Sequence, residues 1–336
     1  MRSDNPIHAT AMLVGLTVVF LIVAWWSLGL GRYEVPLSTW WKLIVAPDEA
    51  GVAGQILMQV RLPRIAAGIL IGAGLSAAGA AYQGIFRNPM VSPDILGASA
   101  GAGFGAAAAI LYSLSIVWIE ALSFTFGLLA VGLTCLAAAR LKRVGDPILT
   151  LVLVGILIGA VFTALVSLAK YAADPYSKLP AITLWLMGSL SAINPKDLGF
   201  AVLPMLIGLV PLHLLRWNLN VLAFGEEEAR ALGAETARLR WIIIFCATLL
   251  TAASVAIAGM VGWVGLVIPH LARMLVGPDY RVLLPASILI GASYLLLTDD
   301  LARSIMANEI PLGIITALIG APFFLYLMMR SNRGWA

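Results

Sequence analysis

Long apolar runs alternate with short polar intervals along most of this chain. Stretches free of Asp, Glu, Lys and Arg cover 11–31, 65–86, 95–119, 121–139, 147–169, 198–215, 241–272, 282–298 and 310–329. A helix needs about 20 apolar residues to cross a hydrocarbon layer of roughly 30 Å, so most of these runs fit one span each. The run 241–272 is too long for one. Its glycine-rich part, "GMVGWVGLVIPHLARML", contains Pro269 and predicts two helices, one ending near Ala258 and the next starting near Gly262. The expected fold is an all-α polytopic membrane protein of about ten transmembrane helices, with the whole of 1–336 as a single domain.

Capping signals place several helix starts. Ser92-Pro93-Asp94, Asp146-Pro147 and Asn194-Pro195-Lys196-Asp197 each set a capping side chain before a proline suited to the first helical position. They predict the starts of the third, fifth and sixth spans. Small residues recur every fourth position at Gly68 and Gly72, and at Gly97, Gly101 and Gly105, a stripe that lets helix backbones approach in lipid. Gly101, Gly103 and Gly105 follow no strand and lack the spacing of a dinucleotide fingerprint.

Composition supports lipid as the solvent. Of the 336 residues 61% are hydrophobic, well above the roughly half-apolar usage of soluble domains, and the charged share is 11%. The first run is longer than the core of a signal peptide and lacks a convincing cleavage site, which predicts a retained first helix. Cys135 and Cys246 both fall inside apolar runs and are expected to be packing residues, with no metal site. The net charge of +4 comes without a basic run or stacking module, which argues against nucleic acid. Ten spans with both termini cytoplasmic divide the 21 Lys and Arg residues 13 inside to 8 outside, the bias of the positive-inside rule. The outside set is Arg32, Lys42, Arg61, Arg64, Lys170, Lys178, Lys196 and Arg303.

The span interiors carry few groups able to do chemistry. His213 and Arg216, His270 and Arg273, and Asp299 and Asp300 all lie near span ends, and no histidine has a carboxylate or nucleophile at recognisable spacing. No catalytic constellation is expected, and an ion-coupled secondary transporter would need intramembrane carboxylates. Asp299 and Arg303 are four apart, the order that favours a helix-surface ion pair. No lysine follows a glycine, so the chain has no Walker A loop, and nucleotide-driven work would need another subunit.

One segment contrasts with the rest. In "NVLAFGEEEARALGAETARLR", within the predicted inside segment 219–239 and its edge, seven charges are Glu226, Glu227, Glu228, Arg230, Glu235, Arg238 and Arg240. The three glutamates suit the first turn of a short helix, Gly233 would stop it, and a second short helix from about Ala234 would lead into the seventh span.

"EEARALG" at 227–233 resembles the coupling element of ABC importer permeases. "RLPR" at 61–64, "GIFRNPMVSPDILG" at 84–97, "GWVGLVIPHLAR" at 262–273 and "EIPLGIITALIGAPFFLYLM" at 309–328 resemble the permease subunits of type II ABC importers for iron-siderophores, haem and cobalamin, the FecCD-type permeases. The resemblance runs in order along essentially the entire chain.

That resemblance implies a single transmembrane permease domain of the bacterial inner membrane, with a periplasmic segment at 32–61. It implies a second permease copy or paralogue, two ATPase subunits carrying ATP and Mg, and a periplasmic substrate-binding protein; no cofactor is expected in this chain. Glu227, Glu228, Ala229, Leu232 and Gly233 match the ATPase-coupling element. Arg61, Arg64 and Arg303 match arginines that face acidic residues of the binding protein. Asn88, Pro89 and Met90, with Gly145 to Pro147, match loops that close the cytoplasmic gate. The implied activity is import of a ferric siderophore by alternating access, with haem or cobalamin as the alternatives. Asp300 departs from the less charged residue usual beside Asp299.

Overall fold

A computed structural model describes residues 6–31, 51–141, 146–306 and 308–331, together with 33, 36, 39 and 45. Among the described residues the regular elements are all helical. They are α1 (Pro6–Gly29), α2 (Gly51–Ile85), α3 (Ala98–Leu111), α4 (Ile116–Arg140), α5 (Pro147–Ala172), α6 (Lys178–Leu186), α7 (Pro195–Leu214), α8 (Arg216–Phe224), α9 (Glu226–Ala231), α10 (Thr236–Ala258), α11 (Val264–Val276), α12 (Tyr280–Ser304) and α13 (Leu312–Ser331). Seven of these, α1, α2, α4, α5, α7, α10 and α12, are long and apolar enough to cross a membrane, and α3, α11 and the 312–327 part of α13 are shorter apolar helices. These ten follow the order of the ten expected spans.

The centre of the bundle is built by α2, α10 and α12, whereas α1 is almost wholly exposed. Val14, Ile22, Trp25 and Trp26 stand out on α1, a surface suited to lipid and not to water. Backbone approach, more than side-chain bulk, sets how α2 packs. A methyl on Gly72 would collide with the Gly291 carbonyl oxygen of α12, and one on Gly79 with the Gly265 carbonyl oxygen of α11. Gly101 and Gly105 likewise bring α3 against the Phe126 and Leu122 carbonyls of α4, which bears out the small-residue stripes. Buried hydroxyls on α10 are satisfied within the helix: Thr248, Thr251 and Ser254 donate to carbonyls four residues back, at 2.6, 2.8 and 2.7 Å.

Helix starts follow the capping signals in two places of three. Asp146 accepts from the Ile148 N–H at 2.8 Å. Asn194 and Asp197 form a reciprocal capping box on α7. At the third span, Ser92 makes no side-chain cap; Pro93–Leu96 form a single 3-10 turn that ends at Gly97 in the left-handed region. The helix proper starts at Ala98, and a methyl on Gly97 would press on Gly159 of α5. The boundary between the third and fourth spans also shifts. The turn falls at 112–115, not at Glu120, which is buried inside α4.

The second span is longer than its apolar run. Helix α2 begins at Gly51 and includes a π-helical stretch at Leu57–Arg61, directly before Pro63. Proline cannot donate to the residue four back and its ring crowds that carbonyl, so the wider turn relieves a clash that a regular helix would suffer there. Residues 51–61 of the expected periplasmic segment are therefore helical, while Arg32 and Lys42 lie outside the described residues.

Candidate functional site

The 24 residues Leu62–Ile85 of α2 run about 36 Å at 1.5 Å per residue, so the groups at the two ends of this helix lie far apart. Helix α12 lies against α2 in the opposite direction. Tyr280, at its start, donates its hydroxyl to the Ala80 carbonyl at 3.1 Å, and Asp299, near its end, pairs with Arg64.

At the end expected outside, the structure brings Arg61, Arg64 and Arg303 together in a buried cluster. Arg64 donates from Nε and Nη2 to Asp299 at 2.9 to 3.1 Å, and from Nη1 and Nη2 to Glu309 at 2.9 and 2.8 Å. Arg303 donates to the Leu30 and Ser27 carbonyls at 2.9 Å and pairs with Asp300. Its Nε lies 3.8 Å from Asp299, so the expected i, i+4 pair exists but is looser than the one Asp299 makes with Arg64. Asp300 also accepts from the Ser27 hydroxyl at 2.6 Å. Arg61 donates to the Leu28 carbonyl at 2.8 Å and to the Tyr33 carbonyl. Gly31, at φ +150°, makes room for this: a methyl there would stand 2.6 Å from Arg61 Nη2. Helices α1, α2 and α12 are thus tied at one end by three arginines and three carboxylates.

At the other end, the charged segment is folded as three helices in succession. Helix α8 precedes the two elements read from the sequence, and no separate second helix follows Gly233, since α10 starts at Thr236 and runs unbroken to Ala258. Gly233 ends α9 at φ +81°, as its position required. Helix α9 is stapled to α10: Glu226 accepts from Arg240 Nη2 at 2.8 Å and from Arg230 Nη2 at 2.6 Å. The Arg240 hydrogen bond, outweighing partial burial, holds the Glu226 carboxyl below its ordinary pKa. Ala229 is fully buried and seats the helix, while Glu227, Glu228, Leu232 and Gly233 are exposed. Leu232, 69% exposed beside two glutamates, gives this protruding turn an apolar tip.

The expected gate residues lie close by. Asn88 folds its side chain onto the Met90 N–H at 2.9 Å, and Asn88 and Met90 are exposed. Asn88 and Pro89 border a cavity of about 230 Å³ with Gln83, Arg87, Arg273 and Tyr280. Arg87 and the charged segment converge at Gly225: a methyl there would overlap Glu228 Oε2 and lie 3.5 Å from Arg87 Nη1. Of the second gate loop, Gly145 lies outside the described residues, and Asp146 serves as the α5 cap. His213 contacts Arg216 at 2.6 Å, and His270 packs edge-on against Phe324.

Three relationships were not readable from sequence. Glu226 and Arg240 are 14 positions apart, Ser27 and Asp300 are 273 apart, and Arg64 and Glu309 are 245 apart. Local spacing gives no sign of any of them.

A bundle of ten apolar helices with an exposed apolar rim and a stapled charged turn between two of them has the make-up of a multi-span membrane protein. The chain belongs to the FecCD transport family, whose model matches residues 18–330. It is similar to the molybdate import system permease protein MolB of Haemophilus influenzae, 43% identical over 334 residues and covering 98% of each chain. It is also similar to the Fe(3+)-citrate import system permease protein YfmE of Bacillus subtilis, 40% identical over 337 residues, 99% of this chain and 98% of that one. Among solved structures, a metal-chelate type ABC transporter in an inward-facing conformation matches with a TM-score of 0.86 at 44% identity, covering 96% of this chain and 99% of that chain. The chain is an ABC importer permease, and the family is one of transport subunits.

Proposed function

We propose that this chain is the inner-membrane permease of an ATP-driven importer whose cargo is a ferric siderophore. It works beside a second permease, two ATPase subunits and a periplasmic substrate-binding protein. The observation that carries the reading is the stapled turn α9. Its Glu226 and Ala229 fix it to the bundle, and its Glu227, Glu228, Leu232 and Gly233 face outward where a separate ATPase could grip them. ATP and Mg belong to that partner. Movement of α9 would reach the Asn88-Pro89-Met90 loop through the Arg87, Gly225 and Glu228 convergence, and so change which face the pathway opens to. Arg61, Arg64 and Arg303 serve the docking of the binding protein at the other end.

The iron reading draws support from relatives named for iron chelatin and Fe(3+)-citrate. The 43% identity to a permease named for molybdate favours molybdate as the second reading. Uptake separates them. Cells whose only candidate importer contains this chain should accumulate a radiolabelled ferric siderophore and not radiolabelled molybdate. Molybdate uptake with no iron uptake would replace the first reading by the second.

A further inference from the structure

The cavity of about 230 Å³ at the inner end is bordered by arginines from two separate elements, Arg87 after α2 and Arg273 on α11, and, among the described residues, by no carboxylate. Arg273 is steadied by the Tyr280 hydroxyl, which accepts from its Nη2 at 3.3 Å and itself donates to the Ala80 carbonyl. Gly84 lets that ring approach, since a methyl there would stand 2.7 Å from the hydroxyl oxygen. Asp279, beside the cavity wall in sequence, is taken up by Arg281 and Asn220.

Arg87 is placed at a cost. Its φ of +48° lies in the left-handed region, which strains any residue with a side chain and persists only where the surroundings hold it. Its guanidinium makes no hydrogen bond or ion pair among the described residues, and Glu228 approaches it at Gly225 without pairing. Gln83, on the same cavity, is buried; its Nε2 donates to the Leu266 carbonyl at 3.1 Å, and its Oε1 has no hydrogen-bond partner among the described residues. A buried acceptor left unmet is costly, so the group that fills the cavity should bring a donor. Water would bring one, but it gives no reason for two guanidinium groups on one small cavity. An oxyanion that still carries a proton answers both.

We propose that this cavity is a binding site for a protonated phosphate group, whose oxygens are held by Arg87 and Arg273 while Gln83 Oε1 accepts its proton. The phosphate is free in solution or is the end of a monoester, and the exposed rim of Arg87, Asn88 and Pro278 admits either. Bound there, it ties the loop after α2 to α11 and competes with Glu228 for Arg87. Where Asn88-Pro89-Met90 is the gate, occupancy holds the gate loop still and slows import. That regulation rests on the gate reading of the loop; the binding site does not.

The test uses the full chain in nanodiscs of zwitterionic lipid at about pH 6, where phosphate monoesters still carry a proton. Ionic strength is held constant with chloride, and hydrogen exchange is followed in 83–90. Inorganic phosphate, glycerol 3-phosphate or both should slow exchange, and whichever acts identifies the source. The concentration giving half the protection should rise about tenfold in Arg87→Gln, and sulfate, which carries no proton, should act at least about tenfold more weakly. Should Arg87→Gln not insert, the comparison with sulfate on the unsubstituted chain decides. Equal protection by phosphate and sulfate, an unchanged concentration in Arg87→Gln, or no protection by either phosphate compound overturns the proposal. In the assembled transporter, the compound that protects should also slow import, by a smaller fraction in Arg87→Gln. Protection without any slowing of import keeps the site and removes the gate reading.

Discussion

Glu226 of α9 and Arg240 of α10 meet at 2.8 Å across 14 residues of sequence, and this contact fixes the protruding turn to the seventh apolar span. Partly exposed ion pairs contribute only about 0.2–1 kcal/mol, so Arg240→Met should leave the bundle intact and loosen α9 alone. Hydrogen exchange should rise in 226–233 and stay unchanged in α2 and α12. A global loss of protection would mean that the staple supports the whole fold.

The same pair sets a pH dependence. Because the folded pKa of Glu226 is lowered by Arg240, the staple's contribution is present above the ordinary carboxyl pKa and is lost as pH falls through the lowered value. Protection of 226–233 should therefore hold steady from neutral pH down to the ordinary carboxyl range and decline below it. Glu226→Gln should remove that decline. A variant that keeps the same acid transition would assign it to another group.

Gly233 offers a way to separate a docking role from folding. Its φ of +81° makes any side chain strained by about 1–2 kcal/mol, but nothing in the chain lies within 4 Å of a methyl placed there. Gly233→Ala and Gly233→Trp carry the same backbone strain, and only the indole extends into the space a partner would occupy. Both should insert, and transport should fail in Gly233→Trp while Gly233→Ala keeps most of it. Equal transport by the two would move the contact elsewhere.

Backbone contact between α2 and α12 should make Gly72 intolerant of even one methyl group. Gly72→Ala forces the Gly291 carbonyl away, an overpacking cost of about 1–3 kcal/mol, and should lower the melting temperature in detergent. Gly15→Ala on the exposed face of α1 meets nothing within 4 Å and should be neutral or slightly stabilising. Equal melting temperatures for the two variants would contradict the packing described for α2.

Arg64 is held by two carboxylates, and removing it leaves the nearly inaccessible Asp299 with only the looser 3.8 Å contact to Arg303. Arg64→Met should cost about 3–5 kcal/mol and reduce the folded fraction recovered from membranes. Arg61→Met, which loses only bonds to backbone carbonyls, should be milder. Equal yields would show that Asp299 finds another partner when Arg64 is absent. Loss of Arg64 thus confounds docking with folding.

The apolar runs predicted the spans because lipid imposes length and composition on each helix separately, with little help from tertiary context. Asp146 and the Asn194 capping box were readable for the same local reason. The start at Ala98 was not, because Gly97 takes a left-handed conformation that the apolar run conceals. Glu120 misled in a similar way: a charge between two apolar runs suggests a turn, yet this one is buried in α4 and the turn lies at 112–115. The turn of Glu227 to Gly233 and the grouping of the three arginines at one end could be expected from the sequence, but the partners that hold them could not. Pairing across 245 residues, as for Arg64 and Glu309, is a property of the folded bundle alone.

The most direct test of the account is co-purification from membranes of the unsubstituted chain and of a Glu227→Arg, Glu228→Arg double variant, made with the other subunits of its import system. Both glutamates are exposed, so the variant should insert normally. An ATPase subunit should accompany the unsubstituted chain and be lost from the variant. An ATPase retained equally by both would contradict the placement of the coupling contact on α9.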